Sequence, residues 1–188
     1  SRARARRYAA NVPLNFAGLR KCVISKDCKI FDMKNVHGHG TTDYKSWVAQ
    51  TSKDLRPIPC FKSNRYEPYL VLRHCPTSTL HEAYQLPGRE ARMQTLPPPF
   101  DERFTGYGKN KISHIVMLRY SGYKFSVVPT SFVIHVPHAL GKAKGDWMKE
   151  GSEFRQQVDA IYDGLLEDVR GCCKPQVHTK ICEDTKYQ

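Results

Sequence analysis

The chain has 188 residues, 40% of them hydrophobic and 11% aromatic, which is material for one buried core and unlike the composition of a disordered segment. Lys and Arg total 30 against 18 Asp and Glu, a formal charge of +12 that favours anionic partners: a nucleotide-sugar diphosphate, an acidic glycan, RNA or an acidic membrane surface. No stretch approaches the ~18 apolar residues of a membrane-spanning helix.

The chain opens on SRARARRYAAN, with no acidic residue before Asp27. It reads as a solvated basic arm over residues 1–13, with an organellar presequence remnant or an arm lying on nucleic acid as the sharper alternatives. Asn15 to Cys22 predicts a short helix, and Lys21 to Met33 alternates as a strand or mixed structure does. His37 and His39 stand two apart on a glycine-flanked loop. They read as loop histidines, since no nearby Cys, Asp or third His completes a metal site. Thr42 to Trp47 reads as a cap and one or two helical turns, with Trp47 pointing inward. Pro57 and Pro59 predict a loop. Tyr69, Leu70, Val71 and Leu72 run apolar without a break, as in a strand covered on both faces.

Residues 76–99, framed by prolines and lacking a period, read as an insertion. Lys111 to Tyr120 has helical spacing after the turn at Gly106 and Gly108. Strands are expected at Tyr123 to Val128 and Ser131 to Val136, and a Gly- and Lys-rich loop from Gly141 to Gly151. Ser152 to Val169 predicts an amphipathic helix with Phe154, Val158, Ile161, Tyr162, Leu165 and Leu166 on one face. Residues 171–188 read as an irregular tail. The class is α/β, and the domain occupies residues 14–170. The cysteines number seven, without a C-x-x-C pair or zinc-like spacing. Cys22 and Cys28 suit either a local bridge or two buried thiols, and Cys172, Cys173 and Cys182 form a second local group.

Phe100 to His138 carries the densest chemistry. Asp101, Glu102 and Arg103 precede the G-x-G turn, followed by Lys109, Asn110 and Lys111. Glycines there would let backbone approach a ligand, with Asn110 or Lys111 holding hydroxyls or phosphate; a carboxylate could serve as general base. The alternative is an Asp–Arg pair that stabilises a turn. His135 ends an apolar strand, where an imidazole could hold a divalent ion or simply sit satisfied in the core. The loop around Lys142 could close over a diphosphate.

The segments PPFDERFTGYGKNKISHI, YKFSVVPTSFVIHVPHA, HGHGTTDYKSW and YEPYLVLRH together resemble glycosyltransferase family 49, the LARGE-type and β-1,4-glucuronyltransferase enzymes, over roughly Leu14 to Val169. The resemblance implies the C-terminal, acceptor-side half of a GT-A-like fold, a mixed sheet with flanking helices. It implies inverting transfer of glucuronate from UDP-glucuronate to a xylose-type glycan acceptor, with manganese. His135 would be a metal ligand and Asp101, or after it Glu102, the base. Gly106, Gly108, Asn110, Lys111 and Lys142 would line the donor site, and Tyr66, Glu67 and Tyr69 the acceptor side. The family's Asp-x-Asp motif belongs to the half preceding the region matched by Leu14, and no D-x-D occurs in this sequence. Two expectations result, beside a third reading as an independent carbohydrate- or anion-binding domain. One is a UDP-sugar transferase in the Golgi lumen, completed by a half that carries Asp-x-Asp. The other is a non-catalytic descendant serving as a structural subunit, of an organellar ribosome or a mitochondrial respiratory complex, with protein partners and RNA met through the Arg-rich start.

Overall fold

The computed structural model describes residues 12–72, 97–136, 138–139, 141–171 and 177–183. Most of the expected basic arm and insertion, with Cys75, Cys172 and Cys173, lie outside them.

Helix α1 (Phe16–Ile24) starts where Asn15 accepts a hydrogen bond from the Gly18 N–H. Of the strand or mixed structure expected from Lys21 to Met33, no strand forms and the segment is helix followed by turns. The helix runs to Ile24, and the Cys22–Cys28 disulfide then folds the chain back through Lys26, which has positive φ. Next come α2 (Val36–His39), a single 3-10 turn at Gly40–Thr42, and α3 (Tyr44–Ala49) capped by Asp43. His37 and His39 therefore lie on a short helix, not on a loop. Trp47 points inward as expected: it packs on the core and donates its indole N–H to the Val128 carbonyl at 3.1 Å.

The proline-punctuated stretch contains two short strands, β1 (Arg56–Pro57) and β2 (Cys60–Phe61). Tyr69 to Leu72 is extended but unpaired. Tyr69 and Val71 face solvent, while Leu70 and Leu72 pack on the core, so the run is covered on one face only. Helix α4 (Asn110–Tyr120) follows the glycine turn as predicted. Of the two later strands only β3 (Ser126–Val127) forms; residues 131–136 belong to no strand. The Gly- and Lys-rich segment is helix α5 (Lys142–Met148), ahead of α6 (Glu153–Gly171). The tail, expected to be irregular, contributes β4 (Lys180–Ile181).

The α/β class holds, but the described strands form two separate pairs instead of one mixed sheet. β1 runs antiparallel to β3 with Arg56 opposite Val127, and β2 runs parallel to β4 with Phe61 opposite Ile181. A disulfide between Cys60 and Cys182 fixes the second pair.

Helix α4 organises the interior because its apolar residues fall on two stripes. Ile115 and Leu118, three apart, join Ile58, Phe61, Tyr66, Phe125 and Val127 in one cluster. Ile112 and Val116, four apart, join Phe104 and the α6 face of Val158, Tyr162 and Leu165 in another. Leu118 is fully buried, so truncation to alanine should cost about 2–5 kcal/mol. The rigid placement of α4 fixes the residues of its first turn, and the candidate site is built there.

Candidate functional site

Lys111 lies in the first turn of α4. Its ammonium is 3.4 Å from Glu67 Oε2 and 5.1 Å from the centroid of the Tyr69 ring. Glu67 is held in turn by α2: its N–H donates to the Gly38 carbonyl at 2.9 Å, and Asn35 Nδ2 lies 3.4 Å from Oε1. Asn35 also caps α2 through a 2.9 Å bond from the Gly38 N–H. A methyl at 38 would fall 2.5 Å from Asn35 Nδ2 and 3.0 Å from Glu67 Oε1, so any larger residue there would displace these two side chains.

The next residue, His39, is 4% exposed, with Nε2 4.0 Å from Asp32 Oδ2. Burial pushes its imidazole below the ordinary value, and Lys111 adds to that effect; Glu67 and Asp32 pull the other way without reversing it. The Phe31 ring lies 5.6 Å from His39 and 4.6 Å from His135, and His135 lies 5.4 Å from His138. Glu67, Tyr69, Lys111 and His135 are thus tied into one neighbourhood through His39 and Phe31. Sequence reading passed over Asp32 and Phe31, and it took His39 for a loop histidine. The signal that could have found His39 is a glycine on each side with an Asx cap at Asn35 and another at Asp43, a pattern that turns a supposed loop into a short, packed helix.

His135 and His138 are exposed imidazoles, and among the described residues no group of three or more His, Cys, Asp or Glu is placed to hold a metal ion. Manganese is a hard cation that favours oxygen ligands. The described residues alone do not fit it.

The remaining expected site residues have structural partners. Asp101 accepts from Arg103 through both carboxylate oxygens, at 3.1 and 2.7 Å, and Arg103 also reaches Asp168 at 3.0 Å. That guanidinium holds the Asp101 carboxyl below its ordinary value. Glu102 beside it is exposed. Gly106 and Gly108 have φ of +81° and +112°, a conformation that favours glycine. A methyl on Gly108 would collide with the Trp147 ring, and one on Gly106 would touch Phe154, so the turn's glycines serve the packing of α5 and α6. Lys109 pairs with Asp159 at 2.8 Å and lies over the Tyr162 ring. Asn110 Oδ1 accepts from the Lys111 N–H at 2.8 Å. Lys142 is exposed at the start of α5, beside an open groove lined by Gly106, Ala143, Asp146 and Phe154. Tyr66 is in the core, not on a cleft wall: it is 2% exposed, and its hydroxyl lies 2.8 Å from Thr42 Oγ1.

No helix among the described residues is long and apolar enough to cross a membrane. No solved structure matches the chain. Among curated proteins it is similar to the xylosyl- and glucuronyltransferase LARGE2s of Gallus gallus, with 34% identity over 133 residues, 71% of this chain and 13% of that protein. The xylosyl- and glucuronyltransferase LARGE2 of Mus musculus is 35% identical over 54% of this chain and 11% of that protein. The glycosyltransferase-like protein gnt14 of Dictyostelium discoideum is 34% identical over 70% of this chain and 16% of that protein. The chain therefore spans about an eighth of the first of these relatives. The profile of one family, described as glycosyl-transferase for dystroglycan, matches residues 6–163, which takes in α1 to α4, β1 to β3, α5 and the first half of α6. The chain belongs to that family, and its domain is of glycosyltransferase type.

Proposed function

We propose that this domain forms the acceptor-side wall of a GT-A-like glycosyltransferase site that moves a sugar, by resemblance glucuronate from UDP-glucuronate, onto a glycan acceptor. The observation that carries this reading is the meeting of Glu67, Tyr69 and Lys111. They come from two segments of the family match and leave polar and aromatic groups pointing outward. An exposed tyrosine ring offers a flat apolar face to a pyranose, and Glu67 is a hydrogen-bond acceptor for its hydroxyls. Lys111, 40% exposed, can turn from Glu67 to a carboxylate or phosphate of a donor. The held pair keeps both charges partly desolvated and oriented before sugar arrives, so little ordering remains at binding.

Proton removal from an acceptor hydroxyl needs an unengaged base. Glu102 meets that requirement better than Asp101, whose oxygens are occupied by Arg103. Manganese, by the resemblance, would take His135 as one ligand and draw its oxygen ligands from an Asp-x-Asp outside this sequence. The two disulfides suit an oxidising compartment such as the Golgi lumen. One observation favours the second reading, a non-catalytic descendant recruited as a subunit of an assembly: the residue resemblance assigns as base is built into a turn.

The test is an NMR titration of the chain with a methyl xyloside. The reading expects shifts confined to the Tyr69, Glu67 and Lys111 neighbourhood and lost in Tyr69→Ala. A chain blind to xyloside, or one with unchanged shifts in Tyr69→Ala, would overturn it.

A further inference from the structure

Arg119, in the last turn of α4, is 8% exposed and carries a cation into the interior without an acidic partner among the described residues. Its Nη1 donates to Asn64 Oδ1 at 3.2 Å, and its Nε is buried with no partner. Its guanidinium lies 5.4 Å from the Tyr120 ring centroid and 6.0 Å from that of Phe61. A second buried donor is also unsatisfied nearby: the hydroxyl of Tyr162, itself 8% exposed, on α6. Burial raises the pKa of that hydroxyl; Arg119 and Arg65 oppose the rise while Asp163 and Tyr120 add to it, so the phenol lies within electrostatic reach of two cations and one carboxylate near the end of α4, α6 and the turn after β2.

Ring faces and the carbonyl end of α4 soften the charge of Arg119 but cannot accept its remaining N–H bonds. A buried guanidinium is ordinarily matched by an anion that takes them, two at a time in the planar fork geometry. Burial lowers the Arg119 pKa; Tyr120 and Tyr162 pull it back only in part, and no carboxylate among the described residues adds to them. A water could satisfy one donor; it could not balance the charge.

We infer that Arg119, with Asn64, Arg65 and the Tyr162 hydroxyl, forms a binding site for a small oxyanion, a phosphate or a carboxylate. It is built on the C-terminal end of α4, whereas the Lys111 site stands at its start. The site is independent of the transferase reading, because none of its four residues belongs to the Glu67–Tyr69–Lys111 group. An anion bound there would tie α4 to α6 and to the turn before Tyr66, stabilising the scaffold.

The experiment is thermal unfolding of the 188-residue chain against sodium phosphate and, separately, sodium acetate, with ionic strength held constant by sodium chloride. A saturable rise in Tm is expected. Phosphate acting at lower concentration than acetate would identify a phosphate-type occupant, and the reverse a carboxylate. Arg119→Met should abolish the rise. Where that variant does not fold, Tyr162→Phe, which keeps the ring, and the exposed Arg65→Ala should each raise the midpoint anion concentration by about threefold or more, the equivalent of one weakened hydrogen bond. A rise that is unsaturable, or unchanged in Tyr162→Phe and Arg65→Ala, would show general screening of a basic protein and overturn the site.

Discussion

The Trp147 indole lies across Gly108 so closely that a methyl on the glycine would collide with the ring. With φ at +112°, the position is closed to a side chain by backbone as well as by space. Gly108→Ala should therefore destabilise the domain by about 3 kcal/mol, part backbone strain and part overpacking. In a Trp147→Ala background the clash is gone and only the strain, about 1 kcal/mol, should remain. Urea unfolding of the four proteins of this cycle measures the difference. Equal costs in both backgrounds would mean that the glycine serves something other than Trp147.

His39 should make stability fall as the medium becomes acidic. Its neutral form is favoured by burial and by Lys111, and Glu67, Asp32 and the nearby Tyr44 do not restore the charged form. A histidine with a depressed folded-state pKa binds its proton more readily when unfolded. Its contribution is thus complete above the unfolded value of about 6.5 and lost as pH falls through and below it. Denaturation midpoints between pH 7.5 and 5 should decline, and His39→Gln should flatten the decline. An unchanged slope in the variant would place the titration elsewhere.

Tyr66 works in the opposite pH range. Burial pushes its phenol up to about 12 despite the hydrogen bond with Thr42. A raised pKa means stability that is full below the unfolded value of about 10 and lost as pH rises through 12. Tyr66→Phe removes the hydroxyl and leaves Thr42 without that partner, at a cost of about 1 kcal/mol at neutral pH. It should also postpone alkaline unfolding, followed by circular dichroism from pH 9 to 12.

The Cys60–Cys182 bridge closes a sequence separation of 122 residues, far longer than the 6 closed by Cys22–Cys28. In the loop-entropy account, Cys182→Ser should cost about 4 kcal/mol and Cys28→Ser distinctly less. Melting temperatures of the two variants against the oxidised parent, which keeps both bridges, check the ranking.

Elements whose own periodicity decides them were legible in the sequence: α4 and α6 carry apolar residues at three- and four-residue spacing and formed where expected. Strands were poorly legible because here they depend on distant partners. β2 exists only because Lys180 and Ile181 return beside it, and no local pattern announces that pairing. The apolar run at Tyr69 to Leu72 finds no partner strand among the described residues and stays extended. At the site, the Glu67 and Tyr69 assignments came from resemblance, and the structure brings Lys111 to both. The G-x-G turn was ambiguous for a physical reason: glycine is required equally by a ligand's approach and by a tryptophan's, and sequence does not distinguish the two.

The most direct test of the proposed site is transfer kinetics in the native polypeptide that carries this sequence, assayed with UDP-glucuronate and a xylosyl acceptor. Lys111→Met and Glu67→Gln should each lower kcat/KM by about a hundredfold, the loss of a charged hydrogen bond worth about 3 kcal/mol, while circular dichroism stays unchanged. Asp101→Asn should mainly lower the melting temperature. Full activity in both Lys111→Met and Glu67→Gln would contradict the assignment of this cluster to the transferase site.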